Sequence, residues 1–190
     1  MKEIELDISF NTPAFLGNAS QNSQWRTPPF KALLRQWWRV VKAKDVGYDY
    51  KKLLAAENEL FGKAADEGKS TRSALRLKLN YWGIGGLSHV SQGAPVRHPE
   101  VPRDVGSHLY LGYGPVTTRG IKDGNHAIAP SSETAKLWLG FPDSFFDEIK
   151  QTVQLIAWFG TIGSRSRNGW GSINISSAKG MDLQPLTAAN

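Results

Sequence analysis

Ile4, Leu6, Ile8 and Phe10 alternate with Glu3, Glu5, Asp7 and Ser9, a period of two that predicts a strand with one buried face. Thr12-Pro13 ends that pattern, and residues 14–27 are rich in turn formers (Gly17, Asn18, Ser20, Gln21, Asn22, Ser23). Pro28-Pro29 lead into a helix, since proline is tolerated in a first turn, so residues 30–44 are predicted as the first helix. At about 100° per residue Leu33, Leu34, Trp37, Val40 and Val41 share an apolar arc, which assigns Trp37 to the core. Trp38 falls at the border of the arc, either as core filler or as a base-stacking platform.

Residues 50–61, with Leu53, Leu54, Ala56, Leu60 and Phe61, predict a second helix closed by Gly62, and residues 63–71 a polar linker. Strict alternation returns over residues 73–81: Leu75, Leu77, Leu79 and Tyr81 on one face, Arg76, Lys78 and Asn80 on the other. Periodicity dissolves over residues 83–125, a stretch rich in glycine and proline with one strand-like piece at 109–113, which reads as an irregular inserted lobe. Residues 134–141 resume a strand, with Leu137, Leu139 and Phe141 inward. Pro142-Asp143-Ser144 opens the last helix, with Ser144 as its expected N-cap and Phe145, Ile149, Val153, Ile156 and Ala157, continuing to Phe159, as its buried stripe. A glycine-rich loop follows at 160–171, Ile173 and Ile175 mark a short closing strand, and 178–190 is expected to be a flexible tail. The predicted class is therefore α+β, a single ferredoxin-like or RRM-like β-α-β-β-α-β domain over 1–190, with the lobe at 83–125 inserted and the glycine-rich loop before the last strand.

Composition narrows the possibilities. With 40% hydrophobic and 11% aromatic residues the chain can bury a sizeable core. An excess of six positive charges favours a polyanionic partner. The absence of cysteine excludes disulfides and thiolate metal sites. No apolar run is long enough to span a membrane, and acidic residues occupy the N-terminus where a signal peptide would have its apolar core, so a cytoplasmic protein without membrane contact is expected.

Two stretches carry candidate chemistry. The loop Gly160-Thr161-Ile162-Gly163-Ser164-Arg165-Ser166-Arg167-Asn168-Gly169-Trp170-Gly171 could be a plain surface turn or an anion cradle. In the second case glycines let successive amides converge on an anion, while Arg165 and Arg167 supply forked donors for phosphate. It lies after a helix and before a strand, and its glycine spacing fits neither a dinucleotide-binding motif nor a Walker loop, so no nucleotide cofactor is implied. On the first helix Lys31, Arg35, Arg39 and Lys42 recur at i, i+4, i+8 and i+11, a row of like charges that disfavours an isolated helix. Either an anionic partner or counter-charges on other elements must answer it. His89, His98 and His108 stand nine and ten residues apart, which matches no compact metal-ligand spacing, and no metal is expected. One of them, or Asp104, could serve as an acid or base in RNA cleavage, although the sequence selects none.

The loop from Phe159 to Ser172 resembles the glycine-rich loop of the RAMP superfamily of CRISPR-associated proteins. The early block Thr12-Pro13-Ala14-Phe15-Leu16-Gly17, with the run from Arg26 to Arg39 (RTPPFKALLRQWWR), is similar to that of the first RAMP subunit of the Cmr (type III-B) effector module, as is Glu59-Leu60-Phe61-Gly62. The resemblance implies an RRM-like fold in single-domain form and a non-catalytic RNA-binding subunit of a type III effector complex in antiviral defence. Its partners would be CRISPR RNA, target RNA and other RAMP subunits. The contacts so implied are Arg26, Lys31, Arg35, Arg39 and Lys42 with Gly163, Ser164, Arg165, Ser166, Arg167, Asn168 and Gly169, Asn168 standing where a further basic residue is expected. An endoribonuclease of the same superfamily and a general single-strand RNA-binding module that stacks bases on aromatics are the alternatives.

Overall fold

The computed structural model describes residues 1–66 and 69–187. Its centre is a four-stranded antiparallel sheet of β1 (Lys2–Phe10), β2 (Arg76–Leu79), β3 (Ala135–Phe141) and β4 (Ile173–Lys179), in the order β4-β1-β3-β2. Helices α1 (Thr27–Ala43), α2 (Tyr50–Phe61) and α4 (Phe146–Phe159) belong to this unit, and a short α3 (Ser107–Gly112) lies in the central lobe. The period-two pattern of β1 does what it predicts. Ile4, Leu6 and Ile8 stand opposite Leu139, Leu137 and Ala135 of β3, and Ile8 and Phe10 opposite Ile175 and Ile173 of β4, so one face of three strands is a continuous apolar surface. Phe30, Leu33, Leu34 and Trp38 of α1 and Ile149, Val153 and Ile156 of α4 close it from one side. The class is thus mixed α and β on an antiparallel sheet, as expected.

The opposite face of the sheet is polar. Lys136 bridges Glu5 and Asp7 at 2.9 and 2.6 Å, the Trp138 indole N–H donates to Glu5, and Lys78 lies over the Trp138 ring. Lys136 is the largest influence holding the Glu5 carboxyl below its usual range, and Asp7 and Glu5 together raise the Lys136 amine. Glu5, Asp7 and Lys136 thus answer one another on this face.

Several local expectations are corrected. The first helix starts at Thr27, because Pro28 and Pro29 sit inside the first turn, where their missing N–H groups leave nothing unsatisfied. Trp38, not Trp37, is the fully buried tryptophan: it packs edge-on against Phe61 of α2 and donates to Glu148 of α4 at 2.8 Å. Trp37 is only partly buried and stacks on Phe159, which is itself half exposed, and Val40 is open to solvent. The arc is turned because α1 must satisfy α2 and α4 as well as the sheet. Ser144 is no N-cap. A 3₁₀ turn at Asp143–Phe145 precedes α4, and Asp143 instead pairs with the N-terminal amine at 3.0 Å. Residues 109–112 of the strand-like piece belong to α3, and Tyr113 follows its end.

Residues 63–71, expected as a linker, contain the antiparallel strands Lys63–Asp66 and Lys69–Thr71, with 67 and 68 outside the described residues. The expected tail is tied down through residue 184. Lys179 pairs with Glu5 across β4 and β1, Met181 joins the core, and Gln184 exchanges hydrogen bonds with Gln154 and accepts one from the Trp158 indole. Residues 188–190 lie outside the described residues.

Candidate nucleic-acid interface

The two ends of the chain that resemble one family meet in space. Asn11 N–H donates to the Ser172 carbonyl (2.8 Å), Gly171 N–H to Pro13 (3.0 Å) and Ser164 N–H to Phe15 (3.0 Å). The Thr12 hydroxyl donates to the Gly169 carbonyl at 2.6 Å and accepts from Ser172 N–H. Two glycines are needed for this seam. At Gly163, with φ +95°, a Cβ would sit 2.6 Å from the Phe15 carbonyl oxygen, and at Gly171, with φ +65°, it would collide with that of Ile162. The loop is therefore a rigid shelf on the Thr12–Gly17 strip. Arg26 supports the same strip by donating its guanidinium to the Gly17 carbonyl, so it works inward rather than toward solvent.

What this shelf presents outward is cationic and unanswered. Arg165 and Arg167 are exposed, and neither side chain has a hydrogen bond or ion pair among the described residues. Arg165 takes a left-handed backbone, φ +59°, that starts a 3₁₀ turn at Ser166–Asn168. The turn is closed by Asn168 N–H to Arg165 O and Gly169 N–H to Ser166 O, which leaves the amides of Gly163, Arg165, Ser166 and Arg167 without acceptors among the described residues. Two guanidinium groups beside several free amides are donors of the kind that anions accept from. Asn168 turns the other way and donates its amide to the Leu111 carbonyl at 2.7 Å, tying the shelf to the central lobe. The absence of a basic residue at 168 thus has a structural reason.

The row on α1 is different. Glu57 of α2, only 5% exposed, receives both Arg39 donors and lies 3.4 Å from Arg35 Nε. Lys42 bonds Glu148 of α4 at 2.6 Å and lies 3.6 Å from Asp45. These partners raise the basicity of Arg39 and Lys42, chiefly through the hydrogen bonds to Glu57 and Glu148. Lys31 is the exception, its amine made less basic by partial burial and then by neighbouring Arg35. Of the two alternatives for this row, counter-charges on other elements answer Arg35, Arg39 and Lys42. A signal existed: Glu57 shares a helical face with Leu53 and Leu60, at i+4 and i+7 from Leu53, where an apolar residue would be ordinary. Glu57→Ala is expected to lower stability by about 2 kcal/mol, since it removes the charge-assisted hydrogen bonds of Arg39 and the counter-charge of Arg35, and both arginines can partly return to water. Urea denaturation measures it, and no change would show that the cluster is incidental.

The lobe has a small core of its own, in which Val90, Leu109, Val116, Ile121 and Ala127 gather with Phe15 of the early strip and Trp170 of the glycine shelf. Its histidines are dispersed. His108 Nδ1 lies 3.3 Å from the Ser91 hydroxyl with its ring edge-on to Trp170. His98 stacks on Tyr110 and accepts from Glu100 N–H, and Asp104 lies 3.6 Å from Arg97. Among the described residues no group of three metal-ligating side chains converges, and no helix is long and apolar enough to cross a membrane.

Comparison with known proteins gives three kinds of result. The family model of the RAMP superfamily matches residues 7–174. No curated protein sequence matches the chain significantly. Among solved structures, Cmr1 from Pyrococcus furiosus in its apo form is similar with TM-score 0.52 and 21% identity, over 94% of this chain and 50% of that one. A chain of a Type IV-B CRISPR complex is similar with TM-score 0.55 and 17% identity, over 98% and 94%. A chain of the type III-B Cmr-beta complex bound to cognate target RNA is similar with TM-score 0.53 and 14% identity, over 95% and 55%. At these identities the likeness concerns the fold, and the chain spans about half the length of the two Cmr chains.

Proposed function

The chain belongs to the RAMP superfamily, and from that premise we propose that it is a non-catalytic RNA-binding subunit of a CRISPR RNA-guided effector complex of type III character. The glycine shelf holds phosphates of guide or target RNA: Arg165 and Arg167 supply charge, and the amides of Gly163, Arg165, Ser166 and Arg167 supply donors. One observation carries this reading. Arg165 and Arg167 are exposed and unpaired on an ordered backbone, whereas Arg35, Arg39 and Lys42 are engaged by Glu57 and Glu148. In this assignment Arg26, Arg35, Arg39 and Lys42 hold the scaffold, and the shelf does the binding.

The sheet order β4-β1-β3-β2, with one crossover through α1 and α2 and another through α4, supports the ferredoxin-like form of the fold. The similar chains belong to CRISPR assemblies, one of them bound to target RNA, which supports both classes of partner, RNA and other RAMP subunits. The test is to purify the chain with the products of its neighbouring genes and extract the nucleic acid. RNA of one discrete length is expected. RNA of heterogeneous length would point to a general single-strand binder, and a complex free of RNA would end the proposal.

A further inference from the structure

Beside the glycine shelf the lobe opens into a groove of about 750 Å³, within the range of ligand pockets. We propose that this groove is a stacking site for unpaired nucleobases of single-stranded RNA, continuing the phosphate path of the shelf; the inference rests on the RNA-binding reading above. Its floor is apolar, formed by Leu109 and Val116 of the lobe core. Tyr113 is 70% exposed on its wall, far more than a core tyrosine would be, and presents a free aromatic face. Tyr110, on the same wall, has its ring braced by His98 at a centroid separation of 5.2 Å and an interplanar angle of 28°. Exposed Arg103 and Lys122 stand at the rim, Lys122 at 3.8 Å from exposed Asp123, and among the described residues no carboxylate lines the groove.

Aromatic faces over an apolar floor with cations at the rim match what a nucleotide presents, a flat base and an anionic link. A purely apolar peptide would leave Arg103 unanswered. Position strengthens the match. Gly114 lines the groove, and an Arg165 Nη atom lies 3.6 Å from where a Cβ would stand on Gly114. The same guanidinium that closes the phosphate shelf therefore marks the mouth of the groove, so a strand held at Arg165 has its next bases beside Tyr113.

The test uses fluorescence anisotropy with a single-stranded RNA and a matched RNA carrying abasic sites, each with wild-type chain, Tyr113→Ala and Tyr113→Phe. Tyr113→Ala is expected to weaken binding of the intact RNA by about 5- to 150-fold, the range for one lost stacking contact, with the salt slope unchanged. Tyr113→Phe should keep wild-type affinity. Abasic RNA should bind wild type more weakly, and Tyr113→Ala should no longer distinguish the two RNAs. Equal binding by Tyr113→Ala and wild type, or an equal loss on intact and abasic RNA, overturns the stacking site. If Tyr113→Ala is silent while Arg165→Ala with Arg167→Ala flattens the salt slope, the groove fails and the shelf stands. If the wild-type chain binds no RNA, both fail. Loss of a neighbouring subunit with RNA affinity intact would make the groove a protein contact instead.

Discussion

Replacing Arg165 and Arg167 together by alanine is expected to flatten the salt dependence of RNA binding by about 1.4 in log–log slope, roughly 0.7 for each lost single-strand phosphate contact. Between about 1 M and 0.1 M salt that change corresponds to about 25-fold in affinity. The effect should fall on binding alone. Neither arginine makes a contact that holds the fold, and the shelf is fixed by backbone bonds to Asn11, Pro13 and Phe15. Stability in urea should therefore stay within about 0.5 kcal/mol of wild type. An unchanged slope would take the shelf out of the RNA path. The same substitution at Arg35 and Arg39 should give the opposite profile, a loss of stability with the salt slope largely kept, because those charges are spent on Glu57.

Trp38→Ala is expected to destabilise the fold by about 3–5 kcal/mol, the usual range for removing a buried tryptophan. Trp38 is 0% exposed, packs on Phe61 at 5.7 Å between ring centroids and bonds Glu148. The indole thus joins α1 to both α2 and α4. Trp38→Phe keeps most of the volume but no donor, and should lie between the two, since Glu148 retains Lys42. Chemical denaturation measures both variants. A cost below about 1 kcal/mol for Trp38→Ala would show that the three-helix junction is not where the core is anchored. Trp37→Ala, at a partly buried position, should cost less than Trp38→Ala, the reverse of the order expected from the sequence.

That reversal shows what a periodic pattern can and cannot reveal. Alternation in β1 and in β3 placed Ile4, Leu6, Ile8, Phe10, Leu137, Leu139 and Phe141 inward, as the structure has them, because a strand against one layer has only two faces and the partition is local. A helix that contacts a sheet and two other helices has no such simple partition. The apolar arc of α1 was legible, but its rotation was decided by Glu57 and Glu148, which draw Arg39 and Lys42 to particular sides. The lobe was legible only as a loss of periodicity. Its core comes from short apolar pieces that include Phe15 and Trp170, about 155 residues apart in sequence and brought together only by folding.

The sequence by itself determined the four strands of the central sheet, the long helices and the residue types of the 160–171 loop, since burial period, proline placement and glycine content act within a few residues of one another. Tertiary structure alone decided which cations remain available. Arg39 is neutralised from 18 residues away and Lys42 from 106, whereas Arg165 and Arg167 meet no carboxylate among the described residues. The physical reason is that Coulomb pairing depends on distance through space, and no local pattern records which distant carboxylate the fold will bring within reach.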